Sequence, residues 1–155
     1  MNITLEQSIQ NADGRYLTDS ELDTLHVYIK TYEARLKTYT LLQEKSGEYI
    51  LLALQKLAKT DAQTVQQHKD KCIRDMDYVV RSIAIAILRD DEEGFRQELL
   101  LWMQNIMVAL HKEQQSSRAY RMLQEVVTQE MPKECSDLVN HYLDEFTKAL
   151  LAGVA

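Results

Sequence analysis

Cys72-Ile73-Arg74-Asp75 places a thiol, a cation and a carboxylate within one helical turn. A thiol is a nucleophile, a guanidinium offers paired donors to a carboxylate, and a carboxylate accepts hydrogen bonds from cationic nitrogens. At offsets of two and three residues these groups splay around a helix, so they suit different parts of one large ligand lying across it. The same residues also fit a plain helix, with Cys72 as a small buried hydrophobe and Arg74 and Asp75 in surface ion pairs.

Other reactive patterns are sparse. The acidic residues form no paired-acid constellation, and the sequence holds no nucleophile motif and no glycine-rich phosphate cradle, so an enzyme is not expected. Cys72 and Cys135 are too few for a disulfide framework and too far apart for the usual zinc pairs.

The elements that must position Cys72 read as helices. The 155 residues include four Gly and one Pro, with 45% hydrophobic and 7% aromatic content, which fits one all-α domain over 1–155 rather than a strand-and-turn architecture. Leu5 to Ile9 forms a short N-terminal arm, about residues 1–17, that turns through Asn11-Ala12-Asp13-Gly14, where Gly14 can take a backbone other residues resist. Thr18-Asp19-Ser20-Glu21 offers a capping box for the next helix. Leu22, Val27, Ile29, Leu36, Tyr39 and Leu42 then keep a helical period over one long helix or two in tandem, a face that needs a packing partner, with Gly47 as the expected interruption. Tyr49, Ile50, Leu51, Leu54 and Leu57 continue an apolar face as far as Lys59-Thr60-Asp61.

The next segment, roughly Thr64 to Leu88, starts polar and ends in Ile83-Ala84-Ile85-Ala86-Ile87-Leu88. Its first half is expected to border a cleft and its second half to enter the core. A buried strand competes for the apolar run, but no turn signal precedes it and no second strand-like segment can pair with it, so it reads as helix. The acidic cluster Asp90-Asp91-Glu92-Glu93 suits the start of the following helix, whose inward face is Phe95, Leu99, Trp102, Ile106 and Leu110. Ser116-Ser117 introduces a helix with Ala119, Tyr120, Leu123, Val126 and Val127 inside, and Pro132 suits the first turn of the last one, which carries Leu138, Val139, Tyr142, Leu143, Phe146 and Leu150 and ends near Gly153.

With 18 basic and 24 acidic residues the formal charge is -6, which argues against free nucleic acid as the main partner. No apolar run reaches the roughly 18 residues of an integral membrane segment, and the N-terminus lacks a secretory pattern, so a cytoplasmic protein is expected.

The stretch from Lys69 to Arg81 resembles the phycobiliprotein family, in which the attachment helix reads Cys-aliphatic-Arg-Asp, then Tyr three residues on, then Leu-Arg after two more. Ala12-Asp13-Gly14-Arg15-Tyr16-Leu17 with Ser20-Glu21-Leu22 is similar to the family's N-terminal arm. Lys133-Glu134-Cys135-Ser136-Asp137-Leu138 with Tyr142 to Ala149 is similar to its last helix, including the chains that carry a second bilin. The sequence departs from the family in a short connection before the Cys72 helix, in Val79 where many members have Tyr, and in a compact run before Pro132.

The resemblance, which covers essentially the whole chain, implies a globin-like helical bundle with a short N-terminal helical arm. It also implies covalent binding of a linear tetrapyrrole (bilin), such as phycocyanobilin or biliverdin, for light absorption or energy transfer in a phycobilisome. By it, Cys72 is the attachment thiol, Asp75 accepts from the inner pyrrole nitrogens and Arg74 faces a propionate. Tyr78 packs on the ligand or in the core, and Lys71 meets a propionate or solvent. Arg81 falls on a family Arg and could pair with an acidic residue of the bundle. Cys135 is either a second attachment site or an ordinary thiol. Implied partners are the bilin, a bilin lyase and phycobiliprotein-like subunits in a homo- or hetero-oligomer, with Tyr16, Leu17 and Leu22 in the pairing arm. The implied setting is photosynthetic, at the cytoplasmic surface of membranes. The alternative is a globin-like sensory or interaction protein that binds haem, a noncovalent tetrapyrrole or no cofactor. His26 or His68 would then be the candidate iron ligands, His111 and His141 lie near helix ends or on amphipathic surfaces, and a solvated or hydrogen-bonding role is the plainer reading of all four.

Overall fold

A computed structural model describes residues 3–106 and 113–152. The described residues form α1 (Ile3–Asn11), α2 (Asp19–Lys30), α3 (Tyr32–Ala58), α4 (Ala62–Arg89), α5 (Glu92–Ile106), α6 (Glu113–Glu130) and α7 (Lys133–Ala152), with no strand among them. The architecture is an all-α, globin-like bundle preceded by a short helical arm. Leu110, His111 and Gly153, named from the sequence, lie outside the described residues.

The long helices α3 and α4 share the largest interface, and α6 packs on α3 and α7. Ile50 and Leu54 of α3, Val79, Ile83 and Ile87 of α4, Leu123 of α6, and Leu143 and Phe146 of α7 meet in one core. Burial of each such side chain contributes about 1.5–3 kcal/mol before chain entropy is counted. The apolar run in α4 shows why helix wins over strand: Ile83 and Ile87 are buried while Ile85 between them is 44% exposed. A strand would have put all three on one face.

Local chemistry sets the ends. Gly14 takes φ 80° in the turn after α1. The Thr18 hydroxyl accepts from the Glu21 amide at 3.3 Å, and the Glu21 carboxylate accepts from the Thr18 amide at 2.8 Å, completing the expected capping box. Arg15 adds an ion pair to Glu21 at 2.9 Å. Hydrogen bonds from the Arg15 side chain and the Thr18 backbone hold the Glu21 carboxyl down at about 2. Asp90 ends α4 with φ 51° and ψ 49°, while the Asp91 amide donates back to Ala86 O at 3.0 Å in a Schellman-type closure. Asp91 then caps α5 by accepting from the Gly94 amide at 3.1 Å, as the acidic cluster suggested. A side chain at position 94 would collide with that carboxylate.

Three readings are corrected. Gly47 interrupts nothing: it sits exposed inside the 27-residue α3, where burial of Leu42 on one side and Tyr49 and Ile50 on the other outweighs a propensity cost of about 1 kcal/mol. The break falls instead at Thr31, which separates α2 from α3 by one residue. The helix expected to begin at Ser116-Ser117 already includes Glu113. Pro132 precedes α7 rather than lying in its first turn, its carbonyl accepting from the Cys135 and Ser136 amides at 2.9 Å each.

At the Thr31 break, Arg35 of α3 is 2% exposed. Its guanidinium donates to Leu88 O at the end of α4, to Tyr28 O of α2 at 2.6 Å and to Thr31 Oγ1 at 3.2 Å, and it lies 4.3 Å over the Tyr28 ring. One side chain thus ties α2 to the α3–α4 pair. The apolar face read over Leu22 to Leu42 divides accordingly: Leu42 enters the core, whereas α2 buries none of its residues and Val27, Ile29 and Leu36 stay exposed.

Candidate functional site

The candidate residues occupy the middle of α4. Asp61 starts this helix by accepting from the Thr64 amide at 3.3 Å. Non-helical backbone at His68 (φ -126°, ψ 17°) then kinks it one turn before Cys72. The stripe of Cys72, Met76, Val79 and Ile83 follows the i, i+4, i+7, i+11 pattern; the last three are buried, and Cys72 is the half-buried end of that stripe. Cys72 is therefore at the rim of the core and not sealed within it.

A second stripe lies beside the first. Lys71, Asp75 and Tyr78 are spaced i, i+4, i+7, with Lys71 and Asp75 half-buried and Tyr78 42% exposed. Arg74 projects about 200° around the helix from Cys72 and is exposed. The structure thus groups Cys72, Asp75, Lys71 and Tyr78 and sets Arg74 apart from them. Arg81 pairs with Asp77 one turn earlier, meeting the expectation of an acidic partner in the same bundle.

One aromatic residue from another helix joins this region, and a second is buried in the core. Trp102 of α5 stacks on Tyr78, with ring centroids 5.0 Å apart and planes 28° from parallel. Tyr120 of α6 is 1% exposed, packs edge-on against Phe146 at 4.6 Å, and its hydroxyl has no hydrogen-bond partner among the described residues. Burial pushes the Tyr120 phenol well above its ordinary range, and the charges of Asp75 and then Cys72 act in the same direction. Apolar periodicity marks Trp102 as an inward residue and carries no signal of its stack on Tyr78.

The remaining candidates fall elsewhere. Cys135 is fully buried in the first turn of α7, as a core thiol. His26 is exposed on α2, His68 is half-buried at the kink, and His141 contacts Glu92 at 3.2 Å on the surface. Among the described residues no group of three or more His, Cys, Asp or Glu side chains could hold a metal ion. No described helix is long and apolar enough to cross a membrane.

A family model described as Phycobilisome protein matches residues 7–150, and the chain belongs to that family. Its members are light-harvesting and structural proteins rather than enzymes, they generally use bilin-type cofactors, and they typically assemble with similar subunits. No curated protein matches the chain.

Proposed function

We propose that the chain is a bilin protein in which Cys72 holds a linear tetrapyrrole through a thioether and the surrounding helices restrain it for light absorption or energy transfer. The observation that carries this reading is the half-buried Cys72 at the rim of the core, with half-buried Asp75 one turn on along α4, in a chain that belongs to the family over residues 7–150.

The residues suit such a ligand. A rim thiol can add across a carbon–carbon double bond of the ring A side chain, forming a C–S bond and moving the thiol proton to carbon with no oxidant. Asp75 would accept from pyrrole nitrogens, and Lys71 is placed on the same stripe for a propionate. Arg74, from its exposed position, would reach only a propionate that extends around α4. Tyr78 offers an aromatic face. When bound, the tetrapyrrole supplies the visible absorption, and rigid walls would slow its nonradiative twisting. In this reading the chain works as one phycobiliprotein-like domain with its N-terminal arm, as a cytoplasmic subunit alongside similar subunits, and Cys135 is a packing residue.

The test is coexpression with bilin synthesis and a bilin lyase, followed by an acid-denatured absorption spectrum, intact mass and peptide mapping. The expected result is one bilin retained after unfolding, mapped to the Cys72 peptide and lost in Cys72→Ala. A pigment released on denaturation, as noncovalent haem would be, or one retained by Cys72→Ala, overturns the assignment.

A further inference from the structure

Trp102 is the chain's one tryptophan and lies on α5, outside the Cys-Ile-Arg-Asp motif. Its stack on Tyr78 joins α5 to the same α4 stripe that carries Lys71 and Asp75. That stripe spans about 10 Å from Lys71 to Tyr78 at 1.5 Å rise per residue, so a ligand fixed at Cys72 and lying along α4 reaches the Tyr78 ring. Tyr78 is 42% exposed. A half-exposed tyrosine ring turns and changes rotamer readily unless something holds it. The indole does so: it covers one side of the ring in a near-parallel arrangement and is itself packed against the core.

We propose that Trp102 is a positioning residue for the pigment site, holding the Tyr78 ring as a fixed wall for the conjugated ligand. This rests on the bilin reading above. The flatness of the indole matters more than its volume, because a stack fixes ring orientation as well as position. Phenylalanine at position 102 preserves most of the effect, and leucine, with bulk but no plane, does not.

Two measurements test this, one without pigment. In the apoprotein, nitration of Tyr78 by tetranitromethane, followed by peptide mass, is expected to speed up about threefold in Trp102→Leu and to stay near wild type in Trp102→Phe. In the pigmented protein, Trp102→Leu is expected to keep the Cys72 adduct by mass but to lose fluorescence yield, with a broader absorption band, while Trp102→Phe stays near wild type. Unchanged Tyr78 nitration in Trp102→Leu, with helicity retained by circular dichroism, overturns the proposal whatever the pigment does. Faster nitration with unchanged pigment spectra overturns its role toward the ligand. If wild type carries no bilin while nitration responds as expected, the bilin reading fails and the positioning of Tyr78 stands. Should Trp102→Leu lose helicity, Trp102→Met is read in its place by the same criteria.

Discussion

The Arg118 guanidinium of α6 lies 3.6 Å from the carboxylate of Asp61, the residue that caps the helix bearing Cys72. One carboxylate thus starts α4 and ties it to the helix that carries Tyr120. Asp61→Ala is expected to lower stability by about 1 kcal/mol, the usual cost of a lost cap. Asp61→Asn keeps a capping oxygen and loses less. Denaturant midpoints of the two variants check the order, and equal losses would show that the charge, not the cap, matters.

The Tyr120 hydroxyl gives an unusual expectation for a core residue. Tyr120→Phe removes a buried polar atom with no partner among the described residues, so the apoprotein is expected to gain up to about 1 kcal/mol. A loss of more than about 1 kcal/mol in the apoprotein would reveal an existing partner for the hydroxyl.

Arg35→Met leaves the Leu88 carbonyl without the guanidinium and Tyr28 O with only the Thr31 hydroxyl at 3.3 Å, and is expected to cost about 2–3 kcal/mol. Arg35→Lys should not restore it, because a compact ammonium lacks the planar fork that spans Leu88 O, Tyr28 O and Thr31 Oγ1 together. Thermal melts of both variants, with hydrogen exchange resolved over α2, make the comparison.

Glu21 supplies a pH dependence with a defined sign. Its carboxyl is held at about 2 by the Arg15 side chain first and the Thr18 amide second, below the unfolded value of about 4.3. The folded state therefore binds fewer protons in that window, and the stabilisation is complete above the unfolded value and lost as pH falls toward 2. Thermal melts from pH 5 to about 2 should show a smaller acid loss for Glu21→Gln than for wild type. Identical slopes would remove Glu21 from the acid transition.

Features that depend on neighbours in the chain were legible before any coordinates. Thr18 and Glu21 form their box because both partners lie within four residues, and the helical period of Ile83 and Ile87 states which side of α4 goes inward. The Cys72 and Asp75 cluster was readable for the same reason. Position 31 was not, because Thr31 is neither Gly nor Pro, and the break there is braced by Arg35 reaching Leu88, 53 positions away. Gly47 misled in the opposite direction: its propensity is local, whereas the packing that keeps α3 continuous comes from other helices. Trp102 joins the site through a tertiary stack on Tyr78 that an apolar pattern does not specify.

The arm also has a calorimetric consequence. Because α2 has no fully buried residue and covers only the half-buried Leu22, Leu25 and Tyr28, its detachment is expected to carry a smaller heat-capacity increment than loss of a core helix. What it forfeits is chiefly the polar clasp at Arg35. Release of α2 is thus expected to precede the cooperative melting of the α3, α4, α6 and α7 assembly, with amide protons of residues 19–30 expected to exchange ahead of those in that assembly.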